Sequence, residues 1–113
     1  MDFQQIIARV KEITQLYEES DKRRLGHAWA RGEYAKALAA DVGALVKLTM
    51  AKDGLREVDN LDEKLKHELA DCLAAVIIIA DKYGVDLEKA FGETMEELAQ
   101  RASRNELAKS HSL

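Results

Sequence analysis

The stretch NLDEKLKHELADCLAAVIIIADKYG, residues 60–84, decides the fold of this chain. Asn60 or Asp62 can cap the start of a helix, because a short polar side chain accepts hydrogen bonds from the unpaired amides of the first turn. Gly84 tolerates the left-handed backbone that commonly ends a helix. Residues 72–80, CLAAVIIIA, carry no polar group stronger than a thiol. This half of the helix is therefore predicted to be buried on all sides.

Two carboxylates stand where the charged half of this helix meets the apolar half. Glu68 and Asp71 are three residues apart, so they lie on one helical face. A lone charge at the edge of a dry interior is costly, and a bound cation would offset that cost. The pair is thus a candidate metal site. In the alternative interpretation the carboxylates form surface salt bridges, and Lys64, four residues before Glu68, is the available partner.

The composition of the chain favours an all-α domain. The 113 residues suffice for one domain, 1–113, with its core in about residues 2–103. Proline is absent and aromatic residues make up 5%, while alanine, leucine, glutamate and lysine are abundant. No rhythm of short strands and turns is visible.

Charge and hydropathy exclude several kinds of partner. A formal net charge of −4 argues against a nucleic acid polymer, because phosphate backbones select basic surfaces. The single cysteine, Cys72, cannot form an internal disulfide and is predicted to be a small core residue. The run 72–80 is about half the length of a membrane span, and no signal peptide is evident. We therefore predict a cytoplasmic protein without a membrane partner.

The hydrophobic periodicity predicts four helices, and the second and third should be antiparallel and in direct contact. Positions three and four residues apart form an apolar stripe in the first helix and another in the fourth. Asp86 can cap the fourth helix, and the tail beyond it is expected to fray. The predicted helices span residues 2–20, 31–52, 61–83 and 86–103.

The second predicted helix contains one isolated acid, and the segment before it contains one isolated tryptophan. Asp41 is the only charged residue within 37–46, where several small residues, Gly43 among them, would permit a close approach between helices. Asp41 could be a metal ligand or could pair with a lysine or arginine of another helix. Trp29 lies with His27 in the irregular, basic segment 19–34, where it could stack on a base or remain part of a solvated loop.

Two segments together resemble the MazG-like nucleoside triphosphate pyrophosphohydrolases, which are all-α enzymes. HELADCLAAVIIIADKYGVDLEKAF, residues 67–91, is similar to the family segment that carries a Glu-x-x-Asp metal motif, matched by Glu68 and Asp71. LAADVGALVKL, residues 38–48, stands where the family has Glu-Glu-x-x-Glu around Glu-Val-Gly-Glu-Leu. Of those acids this chain keeps only Asp41. The resemblance covers about residues 27–98.

The resemblance implies an activity and a set of site residues. Such enzymes hydrolyse a nucleoside triphosphate to a monophosphate and pyrophosphate, and Mg²⁺ bridges carboxylates to phosphate oxygens. Asp41, Glu68 and Asp71 are then the candidate catalytic and metal-binding residues. Trp29, Lys47 and Arg56 are the candidate substrate-binding residues. The expected ligands are Mg²⁺ and a nucleoside triphosphate.

The departures from the motif leave two other interpretations open. Ala40 and Ala44 stand at acidic positions of the family motif, which suggests a protein that binds nucleotide or metal without efficient turnover, or that only oligomerises. The third interpretation is an unrelated helical adaptor. In each case we predict a homodimer or homotetramer, since four short helices cannot easily surround both 72–80 and the stripe of the first helix.

Overall fold

The structure, a computed structural model, describes residues 1–104 and consists of four helices over that range. They are α1 (Phe3–Leu25), α2 (Gly32–Lys52), α3 (Leu61–Lys82) and α4 (Leu87–Ser103). Residues 1–104 contain no strand, so the predicted all-α class is confirmed. The predicted fraying of the C-terminal tail concerns mainly residues 105–113, which lie outside the described part of the chain.

Short polar side chains and glycine set most of the helix ends. Asp2 and Gln5 form a reciprocal capping box at the start of α1, with hydrogen bonds of 2.8 and 2.9 Å. As predicted, Asp86 caps α4, and its carboxylate accepts a hydrogen bond from the Lys89 amide at 3.2 Å. Gly84 follows the end of α3 with φ of 69°, the left-handed conformation expected of it.

Two helix ends differ from the prediction. Asn60 occupies the N-cap position of α3, but its φ of 53° is left-handed and its side chain makes no capping hydrogen bond. Helix α1 continues to Leu25, beyond the predicted end at residue 20. The basic run 22–24 therefore forms the last turn of a helix instead of a loop. Cations are favoured there because the free carbonyl groups of a helix end carry partial negative charge.

Helices α2 and α3 run antiparallel and in contact, as predicted. The end of α2 meets the start of α3, where the Lys52 ammonium lies 2.9 Å from the Asp62 carboxylate. At the opposite ends, Ala37 and Ile78 line one cavity. The predicted close approach at Gly43 is wrong within the chain, because a Cβ atom built there would meet no atom within 4 Å. Gly43 is exposed.

The buried core is small and lies mainly between α2 and α3. Five hydrophobic residues are buried in residues 1–104: Leu48, Ala51, Ala75, Ile77 and Ala80. Of these only Ile77 is fully buried. Leu73 and Val76 remain 48% and 39% exposed, so the prediction that 72–80 is buried on all sides is wrong for the single chain. Within the chain, α1 and α2 contact α3 but leave the side with Leu73 and Val76 uncovered. No helix in the described range is both long and apolar enough to cross a membrane.

A polar cluster attaches α1 to the α2–α3 pair. The Glu18 carboxylate of α1 binds the Lys82 ammonium of α3 and accepts a hydrogen bond from the Tyr34 hydroxyl of α2 at 3.3 Å. The Arg31 guanidinium lies 4.4 Å from the centre of the Tyr83 ring. Since the Glu18 and Lys82 side chains are only 22% and 27% exposed, this ion pair is partly desolvated.

Helix α4 is held mainly at the start of α1. The Phe3 and Phe91 rings stack with their centroids 6.4 Å apart, and the Gln4 amide donates to Glu88. The radius of gyration is 17.3 Å. A compact domain of this length would have about 13 Å. The chain is therefore open, and much of its apolar surface faces outward.

We expect Lys82→Met to lower the free energy of unfolding by about 1–2 kcal/mol, because Glu18 would lose its charged partner in a partly desolvated site. Lys89→Met is the matched control, since Lys89 lies 4.0 Å from Glu93 on the exposed face of α4. An exposed pair of that kind contributes less than about 1 kcal/mol. Urea unfolding measures both, and equal losses would contradict a structural role for Lys82.

Candidate functional site

The three predicted acids lie on the facing sides of α2 and α3. Asp41 and Asp71 line one cavity between the helices, and Glu68 lines the next cavity along them. In the described part of the chain, neither Asp41 nor Glu68 forms an ion pair with a lysine or arginine, and Lys64 does not pair with Glu68. The adaptor interpretation, which required such surface salt bridges, therefore loses its support at these two acids.

Of the three acids, Glu68 is the one whose surroundings most clearly disfavour the charged form. Its Oε1 atom is buried and has no hydrogen-bond partner. Burial raises the pKa of Glu68, and hydrogen bonding with Asp41 and then the charges of Asp41 and Asp71 raise it further. Two ionised carboxylates cannot donate to each other, so Glu68 and Asp41 can share a hydrogen bond only when one of them is protonated. The charge of His67 lowers the pKa of Glu68 by less than the other groups raise it, and no lysine or arginine of residues 1–104 pairs with Glu68.

Cys72 lies within the field of the same three acids. Burial raises the pKa of its thiol, and the charges of Glu68, Asp41 and Asp71 raise it further. A thiol that holds its proton is a weak nucleophile. Cys72 is half-buried and is not one of the buried core residues, so the prediction that it belongs to the core is wrong. We call Asp41, Glu68 and Asp71, whose charges all raise the pKa of this thiol, the acidic patch.

The patch fits an incomplete metal site. Residues 1–104 contain no group of three or more His, Cys, Asp and Glu side chains arranged to hold a metal ion. The carboxylate of Asp71 instead lies 3.1 Å from His67 Nε2. Mg²⁺ commonly takes one or two protein carboxylates and completes its shell with water and substrate phosphates. The buried, unpartnered Oε1 of Glu68 suits such a cation, and the three-ligand assignment stays a prediction.

An aromatic cavity of about 290 Å³ lies on one side of the patch. Its wall includes Tyr17 from α1, Trp29 from the segment before α2, and Tyr34 from the first turn of α2. The Trp29 and Tyr34 rings are tilted, with their centroids 5.4 Å apart, and Trp29 remains 49% exposed. His27 is exposed and does not line this cavity.

A cationic cavity of about 510 Å³ lies on the other side of the patch. Lys47 of α2 and Arg56 of the connection between α2 and α3, both predicted as substrate-binding residues, line it together with Lys64 of α3. Ala44 and Glu68, one of the three acids, also line this cavity. The sequence patterns did not place Lys64 or Tyr34 in the site. Lys64 lies about one helical turn before Glu68, and Tyr34 lies about two turns before Asp41. This spacing was the available indication that they share a face with the acids.

A comparison with protein-family models identifies the family of the chain. The model of the MazG nucleotide pyrophosphohydrolase domain matches residues 32–104, which is more than half of the chain. The chain belongs to this MazG family. The match begins at the start of α2, so α1 and Trp29, which form part of the aromatic cavity, precede it. Searches of curated proteins and of solved structures gave no match.

The burial of Glu68 predicts a pH-dependent stability in the metal-free protein. As the pH rises through the ordinary range of a glutamate, the unfolded chain loses this proton while the folded chain retains it. Stability therefore falls between the ordinary pKa and the raised pKa of Glu68, and stays lower above that window. Glu68→Gln removes the ionisation, so we expect a higher melting temperature than that of the parent protein at pH 7 and a smaller difference at acidic pH.

The matched control for this prediction is Glu63→Gln, one turn earlier on α3. Glu63 is exposed and lies 3.3 Å from the Lys66 ammonium, so its neutralisation should not raise the melting temperature. Thermal unfolding of both variants across pH provides the measurement. A Glu68→Gln protein that is less stable than its parent at pH 7 would contradict the uncompensated charge.

Proposed function

We propose that this member of the MazG family is a Mg²⁺-dependent nucleoside triphosphate pyrophosphohydrolase that acts in nucleotide-pool housekeeping. The supporting observation is the order of three surfaces along the α2–α3 contact. The aromatic cavity comes first, the patch of Asp41, Glu68 and Asp71 follows, and the cationic cavity comes last. A nucleoside triphosphate has the same order of chemistry, from an aromatic base to a chain of charged phosphates.

The aromatic cavity is suited to the base of the nucleotide. Rings of Trp29 and Tyr34 provide stacking faces, and stacking of a base on an aromatic side chain contributes about 1–3 kcal/mol. The volume of about 290 Å³ is near the lower end of ligand pockets, so the cavity accommodates a base and leaves the phosphates outside.

The carboxylates would hold the ion beside the phosphates. When bound, Mg²⁺ supplies charge neutralisation and orients the attacking water for cleavage between the α and β phosphates. Asp41, Glu68 and Asp71 would bind it at the centre of the site. Lys47 and Arg56, beyond the patch, would contact the departing β and γ phosphates, where negative charge builds up as the bond breaks.

The second candidate function is a protein that binds nucleotide or metal with little turnover. Ala44 lies in the wall beside Glu68, where an acid would provide another ligand, and Asp71 is already bound to His67. Both observations reduce the number of free carboxylates. Isothermal calorimetry with Mg²⁺ and a nonhydrolysable nucleotide would show binding, and a pyrophosphate-release assay would show the absence of turnover.

We expect Asp71→Asn to lower pyrophosphate release by at least about 100-fold, since even outer partners of metal ligands change activity by 10–100-fold. The variant should also lose the stabilisation by Mg²⁺, which would be about 2.7 kcal/mol at a hundredfold excess over Kd. Asp81→Asn is the control, because Asp81 lies on α3 in an exposed pair with Lys11 at 3.3 Å. Equal activity of the two variants, assayed with a panel of triphosphates, would contradict the assignment of Asp71 as a metal ligand.

A homodimer or homotetramer is also part of this proposal. Helix α3 leaves Leu69, Leu73 and Val76 at 52%, 48% and 39% exposure in the single chain. Apolar surface contributes about 25 cal/mol per Å² when it is buried, so a second copy of the chain would gain by covering this face.

We expect light scattering to report a mass at least twice that of the 12.7 kDa chain. Leu73→Lys should shift the protein toward the monomer, because a charged side chain at a buried interface lacks a partner. Leu55→Lys is the control, since Leu55 is 71% exposed in the connection between α2 and α3. A monomeric parent protein at micromolar concentration would refute the assembly.

A further inference from the structure

One face of α1 forms a wall of the aromatic cavity. The side chains on this face are Thr14, Tyr17, Glu18 and Asp21. They follow one another at intervals of one helical turn or less, so they lie on the same side of the helix. Residues of α2 and α3, together with Trp29, complete the cavity. Because α1 precedes the residues of the family match, this wall lies outside the matched domain.

The polar groups of this wall are mainly hydrogen-bond acceptors. The Thr14 hydroxyl donates to the Val10 carbonyl at 2.8 Å, and the neighbouring Tyr34 hydroxyl donates to Glu18 at 3.3 Å, so neither proton is free for a ligand. The ionised carboxylates of Glu18 and Asp21 can only accept. No lysine or arginine in the described part of the chain lines the cavity. A ligand at this wall is therefore favoured when it presents N–H groups.

Asp21 is the acid of this wall that retains an oxygen for a ligand. The Glu18 carboxylate is already bound to Lys82 and accepts from Tyr34. Asp21 Oδ1 lies 2.9 Å from the Arg24 guanidinium, whereas Oδ2 has no hydrogen bond within the described part of the chain. The Asp21 side chain is only 21% exposed, so a ligand in the cavity would replace much of the water that this carboxylate still contacts.

Asp21 also lies close to the aromatic rings of the cavity. Burial raises the pKa of the Tyr34 hydroxyl, and the charges of Glu18 and then Asp21 raise it further, against the lowering effect of Lys82. The centroid of the Tyr34 ring is 5.4 Å from that of Trp29. A base that stacks on these rings thus has its edge within reach of the Asp21 carboxylate.

We propose that Asp21 determines the base specificity of the site and selects guanine. Guanine presents two adjacent donors on one edge, the ring N1–H and the exocyclic amino group, and a carboxylate accepts from both in charge-assisted hydrogen bonds. Oδ2 would accept one of them, and Oδ1, which it shares with Arg24, the other. The inference rests on the proposed function for the nucleotide as ligand and adds the identity of its base.

The other common bases place a lone pair where guanine has a donor. Adenine and cytosine have an unprotonated ring nitrogen beside the amino group, and uracil and thymine have carbonyl groups on both sides of one N–H. Each of these lone pairs would be directed at the Asp21 carboxylate and repelled by it. A site built to hydrogen-bond a particular group rejects ligands that lack that group.

The test is a fluorescence titration of the full chain with GMP and IMP in EDTA, in which Trp29, the only tryptophan, reports binding. The base of IMP keeps the ring N1–H but lacks the amino group, and both ligands carry the same sugar and phosphate. We expect GMP to bind about tenfold or more tightly than IMP, the difference typical of one hydrogen bond to a charged group. AMP, CMP and UMP should also bind more weakly than GMP. Equal Kd values for GMP and IMP, or no response of Trp29 to GMP, would overturn the proposal.

Asp21→Asn should raise the Kd for GMP by about tenfold or more and remove the preference for GMP over IMP. The amide has one acceptor oxygen, and its NH₂ group would oppose the amino group of guanine. An unchanged preference in this variant would exclude Asp21 as its source. Asp21→Ala, which also removes the carboxylate, gives the same readout if Asp21→Asn does not fold.

Two control variants separate the base contact from overall charge and from the local ion pair. Glu19→Gln removes the same charge from α1 outside the cavity, where Glu19 accepts a hydrogen bond from Gln15 at 3.4 Å, and its Kd for GMP should not change. Arg24→Gln breaks the ion pair but keeps the Asp21 carboxylate, so GMP should bind at least as tightly as to the parent protein. A loss in either control equal to that of Asp21→Asn would contradict a direct contact with the base.

Binding in EDTA is measured apart from hydrolysis, so the two proposals can fail separately. If the parent protein prefers GMP to IMP but hydrolyses no triphosphate in the presence of Mg²⁺, the role of Asp21 stands and the proposed activity fails. If it hydrolyses triphosphates but does not distinguish GMP from IMP, the activity stands and the role of Asp21 fails.

Discussion

The contact between α2 and α3 confines the Glu68 carboxylate, and the rest of the site depends on that confinement. The antiparallel packing buries Oε1 of Glu68 and places Asp41 beside it, so the fold carries an unfavourable concentration of negative charge. In water the same acids would repel weakly and ionise independently. At the edge of a small core this charge is costly, and under the proposed function a bound cation would offset that cost.

The acidic patch lies between an aromatic side and a cationic side of the site. Because α2 and α3 are antiparallel, residues toward the start of α2 and the end of α3 surround the aromatic cavity, and the opposite ends surround the cationic cavity. Helix α1 completes only the aromatic side, where the ion pair between Glu18 and Lys82 attaches it. Under the proposed function, recognition of the base would depend on a helix outside the family match, while the phosphates would lie on the side within it.

Sequence patterns predicted the parts of this structure that depend on local chemistry. Asp86 and Gly84 mark helix ends through their own backbone and side-chain preferences, and Glu68 and Asp71 share a face because of helical spacing. The exposure of Leu73 was not predictable, since an apolar run shows what is stable when buried but not how many helices cover it. Nor could spacing show that Lys64 and Arg56 line the same cavity as Lys47, because that depends on tertiary packing and on the course of the connection after α2.

The loss of the family's acid at position 44 can be understood in terms of charge. A metal ion bound to an extra acid and a lysine that contacts phosphate directly are alternative ways to neutralise the same anion. An acid beside Lys47 would pair with that lysine and cancel both contributions. Ala44 removes the acid and leaves the ammonium free, so the loss of one metal ligand and the presence of a cation one turn later are mutually consistent. On this interpretation a smaller set of carboxylates shares the phosphates with the protein's own cations.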